Sequence, residues 1–152
     1  MTSRQLVLVV FEIEGHQIAV HLSAVDRVVY AVEITELPKA PAIVMGVINV
    51  NGRVVPVFNV RKRFGFPARE MTTTDQFILA HTSHREVALV VDHVRGVIEC
   101  PAEDMEASSE ILPGLEYVEG VVKRDDGLIV IHNLEEFLSI EEEELLGRLV
   151  KA

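Results

Sequence analysis

The sequence predicts an all-β protein made of two related small barrels, and three observations lead to that prediction. Valine, isoleucine and leucine occur in short runs at spacings of about ten residues, separated by Gly, Pro, Asn and Asp, as in proteins with many short strands. Glycine-containing turn sequences lie between pairs of these runs. The same order of runs and turns occurs twice along the 152 residues, which indicates a duplicated unit.

Four predicted β-hairpins account for most of the apolar runs. They pair residues 6–13 with 17–22, 47–50 with 53–59, 75–80 with 87–91, and 118–122 with 128–131. Gly15 supplies the positive φ that the first turn needs, and Asn51-Gly52 favours a type I′ turn because both residues tolerate left-handed backbone. The fourth turn contains residues 125–127. Pro56 has no N–H to donate, so we expect its strand to lie at a sheet edge or to carry a bulge there.

Helix is the minor component of the predicted fold. Ser23 is expected to cap a short helical turn over residues 23–28, and residues 60–64 are expected to form a second one. The tail gives the clearest prediction, because Ser139 and Glu142 have the spacing of a capping box. We therefore expect a few short helices and one C-terminal helix.

The internal repeat divides the chain into two units. Residues 46–60 and 120–134 share a Gly-Val-Ile/Val run, a second glycine and a later asparagine, at an offset of 74 residues. The preceding segments match at an offset of 69 residues, with Ala19, Val25 and Val28 corresponding to Ala88, Val94 and Val97. We predict one domain over residues 1–152, with two intertwined barrel subdomains at about 15–80 and 81–140. The N-terminal strand and the C-terminal helix complete its packing.

Composition argues against several classes of function. The formal net charge is −10 and Lys and Arg are scattered singly, so the chain offers no broad positive surface to nucleic acid or to an anionic membrane. No apolar run approaches the ~20 residues of a membrane-spanning helix. The single cysteine, Cys100, cannot form an internal disulfide, which suits a reducing compartment. We expect a cytoplasmic protein that neither binds nucleic acid nor inserts into the membrane.

No residue pattern in the sequence predicts catalysis, a cofactor or a metal. His81 and His84 are three residues apart at a predicted hairpin tip without a third ligand nearby, so a solvated loop explains them. Cys100 has acidic neighbours, which oppose thiolate formation. The sequence contains no Walker, dinucleotide-binding or nucleophile-elbow motif. We therefore predict that the chain works through its surface, either at the seam between the barrels or along an unpaired edge strand.

Taken in order, the motifs resemble the CheW-like domain of bacterial chemotaxis coupling proteins. The first half contributes Ile34-Thr35-Glu36-Leu37-Pro38, Pro41, Gly46-Val47-Ile48-Asn49, Gly52 and Val55-Pro56-Val57. The second half contributes the segments Val87 to Val94 and Tyr117 to Val121. Each motif is common by itself, but their order and spacing over about residues 5 to 140 are specific.

The resemblance implies two five-stranded barrels of the SH3 or OB type, related by pseudo-symmetry. It also implies a non-catalytic adaptor, without cofactors, that holds the cytoplasmic tips of methyl-accepting chemoreceptors to the CheA-like regulatory domain of a histidine kinase. Such an adaptor would be recruited to membrane receptor arrays. For the receptor-binding groove the resemblance points to Val25, Val28, Val91 and Val94. The alternative for these valines, above all for Val28 and Val91, is a place in the core.

Two positions depart from the family pattern. Arg27 stands where the family usually has Glu, and Asn51 stands where it usually has Arg. In the family that pair is thought to help shape the receptor-contacting surface, so the joint change at Arg27 and Asn51 indicates altered receptor engagement. The alternative is that Asn51-Gly52 is simply a better hairpin turn and that Arg27 is an ordinary surface residue.

Two other functions stay open at this point. The same adaptor fold could serve a chemosensory pathway that controls pilus or surface motility, which the changes at Arg27 and Asn51 favour. A small-ligand binder would instead use a cavity between the barrels, lined by His21, His93 and acidic groups. The sequence gives this third hypothesis little support, because it supplies no convergent set of polar residues.

Overall fold

The computed structural model describes residues 4–107, 117–124 and 127–150. Within these ranges eleven strands form two sheets. The strands are β1 (Gln5–Ile13), β2 (His16–His21), β3 (Val25–Tyr30), β4 (Val44–Val50), β5 (Arg53–Phe58), β6 (Gln76–His81), β7 (Glu86–Val91), β8 (His93–Pro101), β9 (Met105–Ala107), β10 (Val118–Arg124) and β11 (Gly127–His132). The helices are α1 (Val60–Arg63), α2 (Ile140–Leu149) and three single turns of 3-10 helix, Leu22–Ala24, Ala102–Asp104 and Leu134–Glu136. This confirms the predicted all-β chain with short helices and a C-terminal helix.

Each sheet combines strands from both halves of the sequence. The first sheet has the order β8-β1-β2-β11-β10-β9, and the second has the order β3-β6-β7-β5-β4. Strand β2 belongs to the first half of the chain but lies in the first sheet with β8 to β11, and β7 belongs to the second half but lies in the second sheet. The reason is the parallel pairing of β2 with β11 and of β7 with β5, which places one strand of each half in the sheet of the other.

The pairing register confirms the internal repeat. In the parallel ladders, Ala19 of β2 lies opposite Ile131 of β11, and Ala88 of β7 lies opposite Val57 of β5. Ala19 and Ala88 differ by the offset of 69 residues, and Val57 and Ile131 differ by the offset of 74 residues. The two ladders are therefore counterparts, and the two sheets are related by pseudo-symmetry.

Two counterpart glycines are required where another segment crosses close to a strand. Thr35 forms a single bridge to β4, and Glu106 of β9 pairs with β10. A Cβ atom at Gly46 would lie 2.3 Å from the Thr35 carbonyl oxygen, and one at Gly120 would lie 2.6 Å from the Glu106 carbonyl oxygen. The first sheet has six strands rather than the predicted five. Its sixth strand is β9, which pairs with β10 at the position where the second sheet has only the single bridge between Thr35 and β4.

Three apolar clusters stabilise the two sheets. The core of the first sheet contains Leu6, Leu8, Val10, Ala19, Cys100, Val122, Ile129 and Ile131. Its counterpart in the second sheet contains Ile48, Val50, Val55, Val57, Phe77, Leu79 and Ala88. A third cluster, the shared core, joins both sheets and α2 through Val9, Phe11, Ile13, Ile18, Val20, Ile43, Val44, Phe58, Val60, Ile78, Ala80, Val87, Leu89, Val91, Leu134, Phe137 and Leu146. Because side chains alternate along a strand, the side chains on one face of β1 pack in the core of the first sheet and those on the other face pack in the shared core.

The predicted turn at Asn51-Gly52 is confirmed, since φ is +51° at Asn51 and +85° at Gly52. The expectation for Pro56 is wrong. Its strand β5 lies between β7 and β4 rather than at an edge, and the irregularity of that hairpin falls at Val44 to Gly46 in β4. Pro56 is accommodated because the parallel ladder to β7 begins one residue later, at Val57. Part of the predicted turn at 125–127 lies outside the described residues.

The helical predictions hold at two of three places. Of the predicted helical turn over residues 23–28 only the start is helical, because the 3-10 turn Leu22–Ala24 passes directly into β3, where β-branched valines favour the extended backbone. At α1 the Asn59 side chain accepts a hydrogen bond from the Lys62 N–H at 3.0 Å. The capping box of Ser139 and Glu142 begins α2 as predicted. In the part of the chain that is described, no helix is long and apolar enough to cross a membrane.

Candidate interaction surfaces

The predicted receptor-contacting valines divide into three half-buried residues and one buried residue. Val25 and Val28 on β3 and Val94 on β8 are half-buried and pack against the shared core with part of their surface open to solvent. Val91, at the end of β7, is fully buried in that core. Its burial agrees with the alternative that places Val91 in the core, so its side chain has no surface to offer a partner.

Val25 and Val94 are counterparts in the two sheets. Val25 lies on the edge strand β3 and pairs with Ala80 of β6. Val94 lies on the edge strand β8 and pairs with Phe11 of β1. Both valines lie where a strand begins after a tight connection from the preceding strand. Each sheet therefore presents an equivalent, half-exposed apolar position beside the shared core.

Arg27 and Asn51 are both exposed, and they lie on different hairpins. Arg27 pairs with Leu79 across a register shift in β3, and Asn51 forms the tip between β4 and β5. No hydrogen bond or ion pair joins Arg27 to Asn51, although both residues are among those described. The side chains at the two departures from the family pattern are thus available to a partner.

The seam between the sheets is closed by an ionic contact that the sequence did not reveal. Arg61 on α1 donates to both carboxylate oxygens of Asp92, at 2.8 and 2.7 Å, and pairs with Glu14 in the β1–β2 turn. The Glu14 N–H donates to Asp92 at 3.0 Å, and Arg69 adds a further bond at 2.7 Å. Burial opposes ionisation of Asp92, but these hydrogen bonds outweigh it and hold the pKa of Asp92 below its usual range. We call this arrangement the first seam contact.

A second seam contact lies at the counterpart position with different chemistry. Ser83, in the turn between β6 and β7, donates from its N–H and its hydroxyl to the Glu135 carboxylate, both at 2.7 Å. Ser83 corresponds to Glu14 at the offset of 69 residues, and Glu135 corresponds to Arg61 at the offset of 74. The repeat offsets were the signal from which the sequence could have placed these residues together.

The helix α2 is attached to the second sheet by two arginines. Arg63 donates to Glu142 at 2.7 Å and to the Tyr117 hydroxyl at 3.0 Å, and Arg85 donates to Glu143 at 2.9 Å. Burial opposes ionisation of Glu142, yet the bonds from Ser139 and Arg63 lower its pKa. These ion pairs fix the outer face of α2 relative to the shared core.

Titratable groups that the sequence singled out do not converge on one place. His21 bonds to Glu119 at 2.6 Å beside a cleft of about 340 Å³, but His93 is exposed on β8 and does not line that cleft. Burial raises the pKa of the Cys100 thiol. Among residues 4–107, 117–124 and 127–150, no group of three or more His, Cys, Asp or Glu side chains is arranged to hold a metal ion.

The fold is thus a β scaffold of two pseudo-symmetric sheets, fused through a shared core and carrying half-exposed apolar positions at their edges. The model of the CheW-like domain family matches residues 7–142. The chain therefore belongs to the CheW-like domain family.

Relatives and a solved structure agree with that assignment. The chain is 30% identical over 139 residues to the chemotaxis protein CheW of Rhizobium meliloti (strain 1021), covering 90% of each chain. It is 30% identical over 128 residues to the chemotaxis protein CheW of Thermotoga maritima, covering 84% of each. The crystal structure of the scaffolding protein TtCheW from Thermoanaerobacter tengcongensis superimposes with a TM-score of 0.83 at 28% identity, covering 91% of this chain and 96% of that one.

Proposed function

We propose that this protein is a chemotaxis coupling adaptor that acts by binding other proteins rather than by catalysis. The observation that carries this proposal is the match to the CheW-like domain over residues 7–142, reinforced by the close superposition on a scaffolding protein. Its partners are the cytoplasmic tips of methyl-accepting chemoreceptors and the CheA-like regulatory domain of a histidine kinase. With these partners it would work in the cytoplasm, beneath a membrane receptor array.

The duplicated architecture suits an adaptor because it presents two related surfaces in a fixed relation. The shared core and the first seam contact join the sheets into one folded unit. A partner bound at the end of one sheet is then held at a constant distance and angle from a partner bound at the other. Coupling in this account is a matter of placement, and it needs no chemical step.

For the receptor surface we propose Val25 and Val94, with Val28 beside them. These side chains are half-buried, so they combine a fixed position with an open apolar face. Arg27 and Asn51 lie on the exposed part of the second sheet and adjust which receptors fit. Val91 is fully buried in the shared core against which these three valines pack.

A binding experiment tests the receptor assignment directly. Val25→Asp places a charge on the proposed surface and should weaken binding of a receptor tip fragment at least tenfold in isothermal titration, while kinase-domain binding is retained. Leu128→Asp, at a position that is 55% exposed on β11, is the matched control and should leave receptor binding unchanged. Thermal melts by circular dichroism check that both variants fold. Equal receptor affinity for wild type and a folded Val25→Asp variant would remove Val25 from the site.

A second candidate is an adaptor for a chemosensory pathway that controls pilus or surface motility. The observation that favours it is the exposed pair of departures at Arg27 and Asn51. Deleting the gene and scoring swimming against surface motility separates the two functions. Loss of swimming alone supports the flagellar pathway, and loss of surface motility alone supports the second candidate.

A further inference from the structure

An apolar groove lies beside α2 and is lined by none of the residues proposed for the receptor surface. It has a volume of about 520 Å³ and runs between the 3-10 turn Leu134–Glu136 and the start of α2. Its apolar lining comes from Tyr117, Leu138 and Ile140. Ile140 is 80% exposed, the highest value among the described large hydrophobic residues that are exposed. The capping box that begins α2 uses Ser139 and Glu142, so the helix does not need an isoleucine at this position.

The rim of the groove is acidic, and two of its four carboxylates have no partner among the described residues. Glu143 is paired with Arg85, and Glu135 is bound by Ser83. The remaining two rim carboxylates, of Glu136 and Glu144, have no hydrogen bond or ion pair among the described residues. Both are exposed, and the formal net charge of the chain is −10. The groove therefore combines an apolar floor with negative potential at its edge.

We propose that this groove binds a basic amphipathic segment of a partner protein. An apolar side chain of that segment covers Leu138 and Ile140, and its lysines or arginines reach Glu136 and Glu144. Charge complementarity selects this occupant, since an acidic segment or a second copy of this acidic chain would meet repulsion at the same rim. The inference goes beyond the adaptor function, because the groove contains none of the residues proposed for the receptor.

The probe is a fluorescein-labelled amphipathic peptide of leucine and lysine, with a leucine and glutamate peptide of the same pattern as its counterpart. Fluorescence anisotropy with the full chain should show saturable binding of the lysine peptide and none of the glutamate peptide. Replacing Ile140 with Gln, or both Glu136 and Glu144 with Gln, should weaken binding about tenfold, which corresponds to about 1.4 kcal/mol. The affected side chains are exposed, so circular dichroism melts should be unchanged.

A matched control separates the groove from net charge. Replacing Glu33 and Glu36 with Gln removes the same charge from exposed positions that do not line the groove, and should leave the affinity within twofold of wild type. Equal weakening by both double variants would overturn the proposal, because the peptide would then respond only to overall charge. Sedimentation of the chain alone as a dimer that Ile140→Gln abolishes would also overturn it, since the occupant would be a second copy.

Discussion

His132 occupies in the first sheet the position that Phe58 occupies in the second. The two residues end counterpart strands, β11 and β5, at the repeat offset of 74 residues. Both rings contact Phe137, with the Phe58 ring stacked at a centroid distance of 4.5 Å and the His132 ring edge-on at 5.2 Å. A polar ring therefore fills an aromatic position of the shared core.

Replacing His132 with Phe should stabilise the protein. His132 is 1% exposed, and neither of its ring nitrogens has a hydrogen-bond partner among the described residues. Removing such buried polar atoms should raise the free energy of unfolding by about 1–3 kcal/mol, measured by urea denaturation at pH 7. The reciprocal change Phe58→His should lower it. A destabilised His132→Phe variant would show that the imidazole is bonded in the folded state.

The same histidine makes stability depend on pH. Burial lowers the pKa of His132 from 6.5 to about 3, so between these values the unfolded chain takes up a proton that the folded chain refuses. Stability should therefore fall with falling pH across this window, by up to about 1.4 kcal/mol per unit from this group. His132→Phe should show a shallower slope between pH 4 and 6. Identical slopes for wild type and variant would contradict the assigned pKa.

The first seam contact should contribute measurably to stability. Asp92→Asn removes one of the two carboxylates that pair with the guanidinium of Arg61, which is 11% exposed, and leaves only Glu14. We expect a loss of about 1–3 kcal/mol in urea denaturation at pH 7. Because the pKa of Asp92 lies below its usual range, this contribution should be present at neutral pH and disappear as acid protonates the carboxylate.

A surface ion pair provides the comparison for Asp92. Arg53 and Glu86 form a bridge with exposures of 56% and 42%, and Glu86→Gln should change the free energy of unfolding by less than about 1 kcal/mol. If Asp92→Asn proves no more harmful than Glu86→Gln, the first seam contact does not hold the sheets together.

The crossing points at Gly46 and Gly120 should reject even a methyl group. A Cβ at Gly120 would approach the Glu106 carbonyl oxygen to 2.6 Å, so Gly120→Ala should destabilise the fold by about 1–3 kcal/mol. Gly147 in α2 has only the tip of Arg85 nearby, at 3.5 Å, and Gly147→Ala should stabilise by up to about 1 kcal/mol. Differential scanning calorimetry distinguishes the two, and a neutral Gly120→Ala would refute the close approach.

Restoring the family pattern at the two divergent positions should change receptor choice. We expect the double variant Arg27→Glu, Asn51→Arg to bind receptor fragments of the common pattern more tightly than wild type. Because both side chains are exposed, the free energy of unfolding should change by less than about 1 kcal/mol. Surface plasmon resonance with two receptor fragments is the measurement. Unaltered affinities for both fragments would favour the simpler explanation, a better hairpin turn.

Local chemistry made part of this fold predictable. The Asn51-Gly52 turn and the capping box at Ser139 depend on residues adjacent in sequence, and both are present. Which strands belong to which sheet was not predictable from such signals. That assignment depends on the parallel pairing of Ala19 with Ile131, two residues that lie far apart in the sequence. Similarly, the burial of Val91 follows from the packing of two sheets, which strand alternation alone does not reveal.

Control of kinase activity in a reconstituted system tests the central proposal most directly. Receptor-bearing membranes and the matching histidine kinase are combined with and without this protein, and the initial rate of kinase autophosphorylation is measured with and without receptor ligand. The proposed function predicts that ligand changes the rate only when the wild-type protein is present, and that Val25→Asp abolishes this response. If the autophosphorylation rate and its response to ligand are the same with and without the protein, while receptor, kinase and protein are all intact, the proposed function is contradicted.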